Sequence, residues 1–343
     1  MSVRYRIYPS LLDKFQSFLD ADQATEEWWN LDSEGEYKLT ADEMSDKLEQ
    51  ELLDAVNRVP HEPSEAADKG TCFNEVIDCL ISHRKCEYEG MDISSGEVAG
   101  NRVIIAKLNG FEFIYNAEMC KEFATRFEGA ISQHQCSVIL PTKYGNVELY
   151  GYIDEIVTDH ICDIKTTSRY DFGKFHKSWQ RHVYPYCLVA SGEMPSVSGF
   201  AFDVVVWKGG TKTNPVLDGS FYREWYDFNY VHSELMLQHI CERFIEWLEA
   251  HKDQITDKKI FGGENEPVLV EKHGVMTKDE FKALWEANET GSGLNYDDIA
   301  ENAKAWGVCS KPRCMRIDHV RYLVLLAAHC KDAEFYKPVD WEE

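Results

Sequence analysis

The feature that most constrains this chain is a pair of apolar runs around a polar turn, with charges placed where a strand should be hiding hydrocarbon. Val147, Leu149, Ile153 and Val157 precede the turn, and Ile161 and Ile164 follow it. The pattern reads as two short strands forming a hairpin. Asp154, Asp163 and Lys165 interrupt it. Residues two apart on a strand share a face, so Asp163 and Lys165 point the same way. If Thr158 and Asp159 form the turn, Val157 faces His160 and Asp154 faces Asp163. Directly opposed residues of an antiparallel pair have Cβ atoms about 4.5–5.5 Å apart, on one side of the sheet. The three charged groups then converge.

Two carboxylates held so close repel each other and lose solvation. A divalent cation relieves both costs. Hard oxygen ligands from one or two carboxylates, with room left for water and phosphate, suit Mg²⁺ or Mn²⁺. Such an ion polarises a phosphoryl oxygen and makes hydroxide available near neutral pH. A neighbouring ammonium neutralises charge developing at phosphorus. The chemistry suggested is phosphodiester hydrolysis. The competing reading is a solvated strand face with a weak surface ion pair.

Residues 172–191 read as a helix, and it would carry Gln180 and Tyr184 on one face, four residues apart. Taken together, Gly-Tyr-Ile-Asp154, then Asp163-Ile-Lys165-Thr166, then Gln180-x-x-x-Tyr184 resembles the signature of the RecB-like branch of the PD-(D/E)xK nuclease superfamily, which includes phage and recombination exonucleases. The resemblance covers roughly the middle half of the chain; its Asp/Asp-x-Lys part is moderately specific, and Gln-x-x-x-Tyr following on a helix makes it fairly strong. It implies a restriction-endonuclease-like α/β core, a mixed sheet flanked by helices. It also implies that Asp154, Asp163 and the Ile164 carbonyl bind metal, that Lys165 assists the attacking water, and that Gln180 and Tyr184 line the DNA side of the cleft. Thr166, Lys174, Lys177 and Arg181 would touch DNA. The family pattern adds a metal ligand from an earlier helix, as Gly-x-x-x-His or, in lambda-exonuclease-like members, Gly-x-x-x-Glu. Here Gly70 is followed at that spacing by Asn74, with Glu75 next. Helical geometry favours Asn74, which flanks the apolar stripe of Phe73, Val76, Ile77, Leu80 and Ile81, and directs Glu75 roughly away. Ligand chemistry favours Glu75.

The implied partner is DNA. A single-strand-annealing or other recombination protein is a further expected partner, and ring assembly in some relatives makes a homo-oligomer an analogy worth carrying. The formal net charge of −24 argues against a broad DNA-coating surface. It leaves room for a local basic channel, and the cluster Lys174, His176, Lys177, Arg181 and His182 is the candidate. Tyr170, Phe175 and Trp179 are read as core, with stacking on unpaired bases as the alternative. Two other functions stand beside the exonuclease: a catalytically silent scaffold for a recombination or replication partner, and a structure-specific endonuclease.

Three regions are expected: an N-terminal helical arm over residues 1–68, the nuclease core over 69–255, and a mainly helical appendage over 256–343. In the arm, Trp28 and Trp29 read as buried anchors. Thr40-x-x-Glu43 is a capping box opening a helix with Met44, Leu48, Leu52, Leu53 and Val56 on its apolar face. In the core, a helix runs from Gly70 to about Lys85, and strands at 103–108 and 111–115 meet at Asn109-Gly110, a strong hairpin signal. A helix over 117–131, strands at 136–140, 147–157, 199–207 and near 222–230, and a helix over 232–251 complete the α/β pattern. In the appendage, helices at 277–287, 296–306 and 319–329 could present Lys311, Arg313, Arg316 and Arg321 to DNA, although packing on the chain itself is the commoner use.

The 11 Cys have no regular spacing and read as reduced core residues. Cys309, Cys314 and Cys330 lack the tight spacing of an iron–sulfur site. No stretch approaches the roughly 20 apolar residues of a membrane span, and the first residues lack the apolar run of a signal peptide. A cytoplasmic protein is the expectation.

Overall fold

The structure, a computed structural model, describes residues 3–60 and 62–262. The expected appendage beyond residue 262, with its three helices, its basic residues and Cys309, Cys314 and Cys330, lies outside the described residues.

The described chain is α/β and forms two compact units that do not follow chain order. One gathers the N-terminal stretch up to Val59, Val138–Tyr150 and the described residues from Asn229 on; the other holds Pro60–Ser137 and Gly151–Phe228. In the first unit lie β1 (Tyr5–Ile7), α1 (Pro9–Leu19), α2 (Ala21–Thr25), α3 (Ala41–Val56) and α7 (Tyr230–Ala250). The expected helical arm therefore includes a strand, and β1 runs parallel to Val147, Glu148 and Leu149. Thr40 caps α3 as its sequence demands: its side chain accepts from Glu43 N–H, and Glu43 accepts from Thr40 N–H at 2.9 Å. Trp29 is no buried anchor, being 40% exposed; Trp28's side chain is outside the described residues. Phe15 packs on Phe244 of α7, ring centres 4.9 Å apart.

The second unit carries α4 (Glu65–Ile81), β2 (Asp92–Val98), β3 (Asn101–Leu108), β4 (Phe111–Asn116), α5 (Ala117–Ala124), β7 (His160–Thr167), α6 (Gln180–Ala190), β8 (Gly199–Gly209) and β9 (Val216–Asp227). Two long strands, β5 (Ile131–Thr142) and β6 (Gly145–Val157), pass from one unit into the other. Within the second unit the strand order is β6-β7-β8-β9-β4-β3-β2. The sheet is mixed: β7–β8 and β9–β4 are parallel, the remaining neighbours antiparallel. The β7–β8 crossover runs through α6, and parallel pairing requires such a connection.

Asn109 and Gly110 adopt φ of +50° and +84°, the left-handed pair that closes a two-residue hairpin between β3 and β4. Three expectations shift. The first helix of the unit opens at Glu65, not Gly70, because Ser64 caps it by accepting from Ala67 N–H. The helix expected over 117–131 stops at Ala124; a 3₁₀ turn at Thr125–Phe127 and a left-handed Gly129 then lead into β5. The helix expected over 172–191 starts at Gln180, and the residues before it form a chain of tight turns. Strand β2 was not legible in its polar sequence; it is an edge strand with no buried residue.

The core on one face of this sheet joins Phe73, Val76 and Ile77 of α4 to Phe123, Cys162, Ile164, Ala201 and Val205. Phe73 is fully buried, with Tyr115, Phe123 and Trp207 around it at ring separations of 5.7, 5.4 and 5.1 Å. Phe73→Ala should therefore cost about 3–5 kcal/mol, read as a lower midpoint in urea unfolding; a loss below about 1 kcal/mol would show that α4 is not clamped by this ring.

Candidate functional site

The hairpin forms as its pattern dictates. Thr158 takes a left-handed φ of +44°, and Val157 pairs with His160, Ile156 with Ile161 and Glu155 with Cys162. One further step of this register sets Asp154 opposite Asp163. There the backbone ladder stops. Asp154 Oδ2 accepts instead from Ile164 N–H at 3.1 Å. Because a strand residue sends its N–H and C=O to the same edge, the Ile164 carbonyl also projects towards β6.

Pairing across the sheet fixes which side chains share a face. Asp163 is beside Phe202 of β8, and Phe202 beside Glu224 of β9; Lys165, Val204 and Tyr222 form the next row. The α6 side chains meet this face. Gln180 Nε2 donates to Asp163 Oδ1 at 2.5 Å, while Lys165 Nζ donates to Gln180 Oε1 at 2.8 Å. Lys165 Nζ also lies 2.6 Å from Asp163 Oδ2. That contact is ionic, since Oδ2 is buried and receives no directed hydrogen bond. Asp163 is 2% exposed. Tyr184 is buried one turn after Gln180, and its ring occupies the place of a side chain at Gly151, where a Cβ would come within 2.8 Å of Cε1. The structure thus brings together Asp154, Asp163, Lys165, Gln180 and Tyr184. Burial, with the Asp163 charge behind it, raises the Tyr184 hydroxyl well above its usual pKa.

Thr166 alternates to the opposite face of β7 from Lys165 and stands against α4, where a Cβ on Gly70 would be 2.9 Å from its Oγ1. Gly70 therefore serves close approach of helix and strand. One turn on, Asn74 presents a buried Oδ1 with no hydrogen-bond partner. Glu75 is not available to a metal. Arg84 grips it through two nitrogens at 2.6 and 3.0 Å, and Glu87 N–H donates to it at 3.0 Å. Burial works against its charge, but these donors prevail and hold its pKa at about 2. Glu75 is also buried rather than directed away from the core, a correction to the helical projection; the contact with the half-buried Arg84 guanidinium explains it.

Two acids were missed. Asp78 follows Asn74 by one turn of α4, and Glu155 follows Asp154 on β6. Both are buried, and their carboxyls abut. Glu155 Oε2 accepts from Ser132 Oγ at 2.8 Å, whereas Oε1 finds a donor only when the pair shares a proton. Burial raises Asp78 to about 6 and Glu155 to about 8. The signal in the sequence was the i, i+4 spacing of Asn74 and Asp78, which sets a polar pair on one line of the helix beside the apolar stripe of Phe73, Val76 and Ile77.

Asp154 is pushed up to about 7, first by burial and then by the Asp163 charge, which Lys165 and the Ile164 N–H only partly offset. Among the described residues no three His, Cys, Asp or Glu side chains are grouped so as to hold a metal. Asp154 and Asp163 are hard oxygen donors of the kind a divalent ion takes, and the buried Asn74 Oδ1 on α4 has no hydrogen-bond partner.

The basic residues divide. Lys177 is exposed. Lys174 Nζ donates to Thr167 Oγ1 at 2.8 Å and to the Arg169 carbonyl at 3.1 Å. Arg181 is half-buried with its guanidinium 4.9 Å from the centre of the Tyr226 ring. Trp179 is buried core. No protein-family model matches the chain, and no curated protein matches it. Among the described residues no helix is long and apolar enough to cross a membrane.

The raised carboxyls make stability depend on pH. Asp154 binds its proton more tightly folded (about 7) than unfolded (about 3.9), so folding loses stability as pH rises between those values. Asp78 and Glu155 act with the same sign and extend the decline to about pH 8. In EDTA, Asp154→Asn should raise the melting temperature at pH 8 by roughly 2–4 °C per kcal/mol of relieved repulsion and leave it unchanged at pH 4. Equal shifts at both pH values would mean that Asp154 is not held against its charge.

Proposed function

We propose that this chain is a divalent-metal-dependent deoxyribonuclease of the RecB-like kind, acting as an exonuclease in phage or bacterial DNA recombination or repair. The observation that carries the reading is the closed set of contacts joining Asp163, Lys165 and Gln180 beside Asp154. A solvated surface pair would not be buried, would not recruit an amide from the next helix, and would not leave a second carboxyl raised to about 7.

Asp154, Asp163, the Ile164 carbonyl and Asn74 would hold the ion. When bound, Mg²⁺ or Mn²⁺ would supply electrophilic stabilisation of the phosphoryl group and hydroxide at neutral pH. The chain's residues supply positioning and charge. Lys165 places an ammonium where negative charge grows on phosphorus during in-line attack. Gln180 fixes that ammonium through its carbonyl oxygen and fixes Asp163 through its amide nitrogen, so both are pre-aimed. Tyr184 packs against Gly151 and excludes water from the strand that carries Asp154.

One observation favours a second reading, that of a weakly active or silent scaffold: Asn74 stands where the resembled family carries an ionisable ligand, and Glu75 is committed to Arg84. The readings separate on linear duplex DNA. Asp163→Ala should lower nucleotide release in saturating Mg²⁺ by about a thousandfold or more while leaving the fold intact; wild-type rates in that variant would end the assignment. Adding a formal charge through Asn74→Asp should tighten Mn²⁺ binding by about tenfold in calorimetry. Absence of Mn²⁺ binding in both proteins, with no nucleotide release, would leave the scaffold.

A further inference from the structure

The segment between β7 and α6 contrasts in charge with the rest of the chain. Residues 168–179 hold Arg169, Lys174 and Lys177 against the single acid Asp171, in a chain of net charge −24. The segment is also anchored. Glu224 of β9, fully buried, accepts from the Tyr170 hydroxyl at 2.7 Å and from Gly173 N–H at 3.0 Å on one oxygen, and from the Tyr226 hydroxyl at 2.7 Å on the other. The two bonds to Oε1 bracket Asp171 and Phe172, which pins the bend that displays the Phe172 ring, 50% exposed.

Beside it runs a row of rings. Tyr222, 47% exposed, lies 5.0 Å from Tyr170; Tyr170 stacks on Phe175 at 6.5 Å and 18°; Phe175 meets Phe202 at 5.4 Å. The Lys165 ammonium sits 5.6 Å from the centre of the Phe202 ring. The row therefore begins at the surface and ends at the lysine of the candidate active site, on the face of the sheet that carries Asp163.

We infer that this surface is a binding platform for unpaired DNA, with bases stacking on Tyr222 and Phe172 and phosphates meeting Lys174 and Lys177, while Arg169 stays paired with Asp171 at 3.3 Å. Exposed aromatic faces interleaved with cations suit a single strand, whose bases offer π-faces that a blunt duplex keeps stacked. Pinning by Glu224 lowers the ordering cost of the loop on binding. The inference rests on the nuclease reading for where the strand leads, but the binding itself requires no hydrolysis.

The test is fluorescence anisotropy in EDTA at low salt with the full chain, using a short labelled oligo-dT, an abasic strand of the same length and a blunt duplex. The wild type should bind oligo-dT about tenfold more tightly than the abasic strand, and more tightly than the duplex. Tyr222→Leu combined with Phe172→Leu should remove the preference for bases while keeping the affinity for the abasic strand, which also reports an intact fold. Lys174→Ala with Lys177→Ala should weaken both single strands together and flatten their salt dependence. A wild type without preference for bases, a leucine variant that retains it, or tighter binding of the duplex would each overturn the platform. Because no metal is present, these results are independent of whether Mn²⁺-dependent cleavage is found.

Discussion

The second unit depends on how the repulsion between Asp154 and Asp163 is contained. Opposing two acids at the mouth of a hairpin costs stability unless each oxygen is answered. The answers come from three places: a backbone N–H for Asp154, an ammonium two residues along the same strand for Asp163, and an amide from α6 that ties both Asp163 and Lys165 down. Helix α6 is thus coupled to the hairpin by polar contacts as well as by packing, and the tight turns before it follow from the Glu224 anchor rather than from local propensity.

A second group of acids lies on the other face. Strand alternation sends Glu155 towards Asp78 while its neighbour Asp154 faces Gln180 and Tyr184. The Arg84–Glu75 pair is the charge-balanced part of that region, and the Asp78–Glu155 pair is the part that depends on a proton. Buried polar groups of this kind are tolerated only when their donors and acceptors match, so the region around α4 is set by specific partners rather than by apolar volume alone.

Much of this was legible in the residues. Turn chemistry at Asn109-Gly110, the capping box at Thr40 and the alternation around Thr158 are local signals, and the structure follows them. The convergence of Asp154, Asp163 and Lys165 was legible from period-two alternation across a hairpin, whereas spacing put Gln180 and Tyr184 only on one helical face, and the family resemblance alone implied that this face meets the acids. What escaped depends on distant partners. The late start of α6 needs Glu224, more than forty residues downstream. The fate of Glu75 needs Arg84, beyond the helix end. The edge strand β2 has no apolar face to betray it and forms because β3 offers it a ladder.

Gly151 gives the hairpin a key. Tyr184 fills the space above its Cα so closely that only hydrogen fits there. Its neighbours on β6 are Tyr150 and Tyr152. Were β6 to slide by one residue, a tyrosine would be driven into another tyrosine, and every inward side chain would turn outward at the same stroke. A residue with no side chain thus reinforces the alignment that the apolar alternation of β6 already demands, and the acids inherit their positions from it.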